Sequence, residues 1–205
     1  MAAIWLVDAG TGNLHSVYNA LHHLGAEVTV TSAPADLAKG GPVILPGVGA
    51  FGHFMEGLRR RSLVDALLSR FQVGDPLFGI CVGMQALFET SEEQGETAGL
   101  GILPGRVVRF PDSDQFKVPH TGWNQLLPQG ETPLTHGLAP GEYAYFNHSY
   151  FCKASAEDIT ALTEYGLPFA SMVQRGNIYG VQFHPEKSQR VGLRILQNFL
   201  QLLYE

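Results

Sequence analysis

Apolar residues fall in short unbroken runs through the first part of the chain and in alternation with polar ones through the second. Ile4–Val7, Val43-Ile44-Leu45 and the run Pro76-Leu77-Phe78-Gly79-Ile80 ending in Cys81 are continuous and flanked by Gly, Pro or Asp. That is the pattern of strands buried on both faces. Glu27–Thr31 alternates and reads as a further strand. Between the strands the spacing turns helical: Leu14–Leu24 predicts a helix stopped by Gly25, and Leu63, Ala66, Leu67 and Phe71 mark another. Met84–Glu89 reads as a helix following directly on Cys81, and the acidic stretch Thr90–Gly99 as a surface loop.

Beyond residue 100 the texture changes. Arg106–Phe110 and parts of Glu142–Cys152 alternate, and Phe169–Gln174 and Ile178–Phe183 flank a hairpin turn at Arg175-Gly176-Asn177. A closing helix over Ser188–Tyr204 carries Leu193, Leu196, Phe199, Leu200 and Leu203 as its apolar stripe. The whole predicts an α/β fold, one domain over residues 1–205. Its central sheet is largely parallel and flanked by helices, with a smaller antiparallel or mixed portion in the second half.

Composition narrows the function. A net charge of −6 over 205 residues disfavours nucleic-acid binding, and the basic run Arg59-Arg60-Arg61 lies inside a helical pattern, as a solvated face or partner contact. No apolar run approaches membrane-spanning length, and Met1–Val7 lacks the basic start of a signal peptide, so a cytoplasmic protein that contacts no membrane is expected. Two cysteines, Cys81 and Cys152, make neither a disulfide framework nor a zinc spacing. Gly10-Thr11-Gly12-Asn13 starts like a dinucleotide fingerprint but has His15 where its third glycine belongs. No cofactor and no metal are expected, and His120 and His148 read as satisfied core or loop histidines.

The chemistry gathers at Cys81. Gly79 and Gly83 bracket it symmetrically at the end of an apolar strand, the way a strand-to-helix elbow presents a nucleophile. The following helix would aim its N–H groups at the sulfur and favour thiolate. The competing reading is a buried cysteine that packs as a small hydrophobe. A cysteine nucleophile needs a base and an orienting group. Phe183-His184-Pro185-Glu186 supplies both, since a carboxylate two residues after an imidazole can reach its far nitrogen. Donors for an oxyanion would be the N–H of Val48, in the glycine-rich loop after the third strand, and of Val82, next to the nucleophile.

Gly79–Gly83 with Gln85, and Phe183–Glu186, resemble the class I (triad) glutamine amidotransferases, whose architecture is flavodoxin-like. Val7–Leu14, Leu45–Phe51, Pro119–Asn124, Asn147–Tyr150 and Gln182–Gln189 are similar to the glutaminase subunits of imidazole glycerol phosphate synthase. The resemblance covers nearly the whole chain. It implies that L-glutamine is hydrolysed to glutamate and ammonia, and that the ammonia passes to a (β/α)8-barrel cyclase subunit in a heterodimer. That partner forms imidazole glycerol phosphate and an aminoimidazole carboxamide ribotide in histidine biosynthesis. By position it makes Cys81 the nucleophile, His184 the acid and base, and Glu186 the orienting carboxylate. Gln85 and the backbone near Gly49, Ser149 and Tyr150 would hold glutamine. Trp123, Asn124, Tyr145 and Lys187 are the candidates for the partner face, a core position being the alternative for the tryptophan. The loop carrying Val48 is expected to be misarranged until the partner and its ligand are in place. Ala9 stands where the resemblance suggests tyrosine, and Asn147 where it suggests an apolar residue. A glutaminase serving another synthase, a cysteine hydrolase unrelated to glutamine, and a non-catalytic regulatory subunit are the alternatives.

Overall fold

The computed structural model describes residues 4–203. The predicted alternation is present in the first half: β1 (Ile4–Val7), α1 (Leu14–His23), β2 (Val28–Thr31), α2 (Pro34–Leu37), β3 (Val43–Gly47), α3 (Phe51–Arg60), α4 (Leu63–Gln72) and β4 (Leu77–Cys81). Then come α5 (Val82–Gln85), β5 (Phe88–Ser91), β6 (Thr97–Ala98), β7 (Leu103–Arg109), β8 (His120–Pro128), β9 (Glu142–His148), β10 (Tyr150–Ala154), β11 (Ile159–Glu164), β12 (Pro168–Arg175), β13 (Ile178–Val181) and α6 (Gln189–Leu202).

Among the described residues, nine strands form one sheet in the order β2-β1-β3-β4-β13-β12-β11-β8-β9, and β10-β7-β5-β6 form a second. The five strands from β2 to β13 pair in parallel. From β12 to β9 the pairing is antiparallel and extends the same sheet. The hairpin predicted at Arg175–Asn177 joins β12 to β13, with Arg175 opposite Ile178 and Gly176 at a φ of 56°. Because β13 returns parallel to β4, the residues after Val181 emerge at the same edge as Cys81. That carboxyl edge is where parallel α/β sheets build their sites.

The core lies between the large sheet and its coverings. Alternation along β4 and β13 turns Phe78 and Tyr179 to one face, where Phe199 of α6 stacks on Phe78 at 4.9 Å and meets Tyr179 edge-on. Gly79 and Gly180, register partners, look to the other face, and a Cβ on either would meet Met84 at 2.7 Å. Two glycines side by side thus open the groove in which α5 lies.

Three sequence expectations are corrected. Met84–Glu89 is not a helix: α5 ends at Gln85, and Phe88 starts a strand that pairs with Leu103. Met84, Leu87 and Phe88 are all fully buried, and a run buried on every side has no polar face to reveal its period. Thr90–Gly99 is not a loose loop, since Thr90 and Ser91 pair with Ala98 and Thr97 in a hairpin. The closing helix spans Gln189–Leu202, with Val191 and Ile195 buried where the stripe had Leu193, which is only half-buried; Tyr204 lies outside the described residues. The three arginines of the basic run each have an intrachain partner: Arg59 on the Ala98 carbonyl, Arg60 on Glu56, Arg61 on the carbonyls of Ala9 and Gly57.

Candidate active site

Cys81 sits at the junction of β4 and α5 with φ 55° and ψ −113°, a conformation that costs a non-glycine residue roughly 1–3 kcal/mol. Its neighbours impose it. A Cβ on Gly83 would stand 1.7 Å from the Leu45 carbonyl oxygen, and one on Gly47 2.7 Å from the Gly83 nitrogen. Only glycine at 83 and 47 lets the elbow close against β3, and a Cβ on Gly79 would meet the Gly83 carbonyl oxygen at 2.7 Å, so both glycines of the bracket are required by the turn. The helix behind the sulfur is a single turn, so the strained elbow, and not a long helix dipole, presents the thiol.

His184 follows β13 at the same edge and is held by its own backbone, its N–H donating to the Tyr145 carbonyl at 2.9 Å. Its ring shares the cavity wall with Cys81, and its Nδ1 stands 3.0 Å from Glu186 Oε1. The Glu186 side chain is fully buried. Burial works against charge on the imidazole, but the hydrogen bonds and negative charges of Cys81 and Glu186 outweigh it and raise its pKa to about 10. Burial opposes charge on Glu186 too. His184 and Asn13 overcome that and hold its carboxyl below the ordinary value. His184 and Glu186 are therefore a hydrogen-bonded pair, and His184 lines the same cavity as Cys81.

A cavity of about 590 Å³ opens over the sulfur. Cys81, His184, Val48, Val82, Gly49, Gln85, Ser149, Tyr150 and Lys187 all line it, and Glu186 lies behind His184. Gly49 has a φ of 86°, so the loop carrying Val48 turns in a conformation open to glycine. Gln85 Nε2 donates to the Tyr150 carbonyl at 3.0 Å and to Gln182 Oε1 at 3.1 Å.

The four candidate partner residues divide. Trp123 is 46% exposed, which excludes a core role, and its ring meets Tyr145 edge-on at 6.0 Å. Lys187 Nζ lies 5.9 Å from the Tyr145 ring centre and also lines the cavity. These three form one patch that reaches the cavity at Lys187. Asn124 is corrected: strand alternation turns it to the other face of β8, where its amide donates to His120 Nε2 and to the Glu164 carbonyl. His120 and His148 are buried against each other, Nδ1 to Nε2 at 3.0 Å, and burial pushes their pKa values down to about 4 and about 3. Ala9 is buried in its turn, and Asn147 lines the cavity, where its Oδ1 accepts from Thr121.

Three further residues stand at the site. Asn13, in the turn after β1, lines the cavity and donates to Glu186 Oε1 at 3.0 Å. Glu93, in the turn of the β5–β6 hairpin, lines it too and accepts the Phe51 N–H at 2.7 Å, capping the helix after the Val48 loop. Gln182 is completely buried with its Nε2 3.9 Å from Cys81 Sγ. Its place two residues before His184 in extended chain was a usable signal; Asn13 and Glu93 depend on contacts far apart in sequence.

Residues 5–202 match the family described as glutamine amidotransferase class-I. The chain is 49% identical over 204 residues to the imidazole glycerol phosphate synthase subunit HisH of Moorella thermoacetica, covering 99% of this chain and 96% of that one. It is 45% identical to the HisH subunit of Bacillus cereus, covering 96% and 93%. With HisH of Desulfitobacterium hafniense it shares 46%, covering 96% and 92%. Its fold matches a solved glutamine amidotransferase with a TM-score of 0.76 at 22% identity, covering 98% and 99% of the two chains. It also matches PurLQS from Thermotoga maritima, again with a TM-score of 0.76, at 19% identity and covering 98% of each. The chain belongs to the class-I glutamine amidotransferase family, and within it to the group of the imidazole glycerol phosphate synthase HisH subunits.

Proposed function

We propose that this chain is the glutaminase subunit of an imidazole glycerol phosphate synthase, with residues 1–205 acting as one amidotransferase domain. It hydrolyses L-glutamine and passes the ammonia to a (β/α)8-barrel cyclase subunit in histidine biosynthesis. The observation that carries the chemistry is the placement of His184 between the Cys81 thiol and the buried Glu186 carboxylate at the floor of the cavity.

At neutral pH a raised His184 is imidazolium, and the form of Cys81 that attacks is its thiolate. Cys81 Sγ attacks the side-chain carbonyl carbon of glutamine, and the electron pair moves to the oxygen, which the N–H groups of Val48 and Val82 receive. As the intermediate collapses the C–N bond breaks and His184 protonates the leaving nitrogen, releasing ammonia. The thioester has no charge on sulfur, so His184 loses one of the two anions that held its proton. Its pKa falls, and the neutral ring can take a proton from water. The resulting hydroxide attacks, the C–S bond breaks with its electrons returning to sulfur, and glutamate departs. The substrate's α-ammonium needs a counter-charge, and Glu93 is the carboxylate on the cavity wall. The α-carboxylate falls to the segment at Ser149 and Tyr150.

Trp123, Tyr145 and Lys187 would face the cyclase, which puts the site's mouth against the partner and keeps ammonia out of bulk water. No helix among the described residues is long and apolar enough to cross a membrane, and both cysteines are free, which supports a cytoplasmic setting. The test is glutamate release by the full chain mixed with the cyclase subunit. Cys81→Ala should lower it by at least about 10⁴-fold while synthesis from added ammonia persists. Normal glutamine hydrolysis by that variant would refute the mechanism.

A further inference from the structure

The mechanism above leaves Gln182 without a task, although its carboxamide is closed off from solvent against the sulfur. The orientation of that carboxamide is fixed by a chain of hydrogen bonds that begins at an atom with no choice. The Tyr150 carbonyl oxygen only accepts, so the Gln85 group 3.0 Å from it is the NH2. The second N–H of the same NH2 points at Gln182 at 3.1 Å, so the atom there is the carbonyl oxygen of Gln182. The remaining end of Gln182 is then its own NH2, and it stands 3.9 Å from Cys81 Sγ. Turning either amide over would set two acceptors, or two donors, against each other in a buried place, which costs more than the bonds gained.

Resting on the reading of Cys81 as nucleophile, we infer that Gln182 is a positioning residue for that nucleophile. Its N–H, locked in direction by Gln85, holds the sulfur and stabilises it as thiolate. The sulfur carries negative charge twice in the cycle: before attack, and again when the C–S bond of the thioester breaks and the electron pair returns to it. A donor directed at sulfur favours both states over the neutral thiol and thioester. His184 carries its proton in both states, and the Gln182 N–H adds a second donor directed at the sulfur. Gln85 joins this arrangement to the substrate cavity, because the side chain that lines the glutamine site also sets the direction of the Gln182 amide.

The experiment is the pH dependence of Cys81 alkylation by iodoacetamide in the full-length chain, read by mass spectrometry of the Cys81 peptide so that Cys152 does not contribute. Gln182→Met removes the donor at similar length, and Gln182→Glu replaces it with an acceptor. The Met variant should move the alkylation midpoint up by about one pH unit, a tenfold lower rate on the acid side, and the Glu variant further. Profiles that overlay the native one in folded variants would overturn the inference, because a merely structural residue changes melting and not the midpoint. A second readout needs no variant: the Gln182 side-chain amide resonances of the native protein should titrate with the same midpoint as alkylation, and a shift constant across that range would overturn it. Native protein that neither releases glutamate with its partner nor is labelled at Cys81 by a glutamine-like chloroketone would defeat the glutaminase reading itself. Activity together with flat Gln182 profiles would defeat only this step.

Discussion

Asn13 Nδ2 donates to Glu186 Oε1 at 3.0 Å, across 173 positions of sequence. His184 Nδ1 stands the same distance from that same oxygen, while Glu186 Oε2 is buried with no partner among the described residues. One oxygen thus carries the whole orientation of the carboxylate, and Asn13 is half of its anchoring. Asn13→Ala should leave the fold intact and lower kcat about tenfold, with a smaller change in KM. Steady-state glutaminase kinetics in the presence of the cyclase subunit decide it. An unaltered kcat would show that His184 alone keeps Glu186 in place.

Replacing the charge while keeping the shape separates orientation from electrostatics. In Glu186→Gln the imidazole loses one of the two anions that raise its pKa to about 10. The sign follows: less negative charge beside His184 makes its proton easier to lose, so the basic limb of the pH–rate profile moves to lower pH. kcat should drop by up to about 10⁴-fold, the loss that follows when the carboxylate of a Ser-His-Asp triad is neutralised. A basic limb that stays in place would mean that Glu186 does not govern the histidine.

The elbow's strain is maintained by packing, so Gly83 is a stability residue as much as a catalytic one. A methyl group there would overlap the Leu45 carbonyl, which belongs to a central strand and has nowhere to go. Gly83→Ala should cost at least ~3 kcal/mol in urea unfolding and abolish glutaminase activity with it. Gly74 is the control: it also has a positive φ, but nothing lies within 4 Å of an added Cβ, so Gly74→Ala should cost only ~1 kcal/mol of backbone strain.

Stability should peak near neutral pH. His120 and His148 stay neutral in the folded chain down to about pH 4 and about pH 3, whereas in the unfolded chain each takes a proton near 6.5. Below 6.5 the unfolded state binds more protons, and acid removes stability at about 1.4 kcal/mol per pH unit for each ring. Glu186 adds to this limb, since a depressed carboxylate stabilises above its ordinary pKa and stops doing so as pH falls through the folded value. His184 governs the other limb. Its raised pKa stabilises fully below 6.5 and the gain is lost as pH climbs towards 10. Unfolding midpoints measured from pH 4 to pH 10 should trace this dome, and His148→Asn should flatten its acid side. An acid limb of native steepness in that variant would rule the buried pair out as its source.

What the sequence made legible were features whose cause is local. Gly79, Gly83, His184 and Glu186 announce themselves because an elbow and an imidazole–carboxylate pair are short-range objects. The parallel strands were readable because burial on both faces leaves continuous apolar runs. The failures have one origin, which is that tertiary contact decided what spacing could not. Phe88 became a strand because Leu103 was there to pair with it, and Glu93, in the turn of the hairpin that follows, caps α3. Asn124 follows Trp123 directly on β8, and one strand position is enough to turn a side chain to the opposite face. Asn13 and Glu93 act through partners 173 and 42 positions away, for which no window along the chain contains the signal.

Trp123 gives the partner surface its sharpest test. At 46% exposure it contributes little to the fold of the free chain, yet it presents an aromatic face beside Tyr145 and Lys187, the last of which lines the cavity over Cys81. The Tyr145 backbone is in turn bound to the catalytic segment: its carbonyl accepts the His184 N–H, and its own N–H donates to Ser188 Oγ, both at 2.9 Å. Pressure from a partner on this patch therefore meets the backbone that places the imidazole. Trp123→Ala should leave the unfolding free energy of the isolated chain within about 0.5 kcal/mol of the native value. It should weaken cyclase binding by ~2 kcal/mol, about thirtyfold in Kd, as the loss of a central aromatic anchor does. Calorimetric titration of the cyclase subunit into each chain measures the second quantity and urea unfolding the first. Undiminished affinity would move the interface elsewhere on the molecule, and a large loss of stability would make the indole a packing residue of β8 despite its exposure.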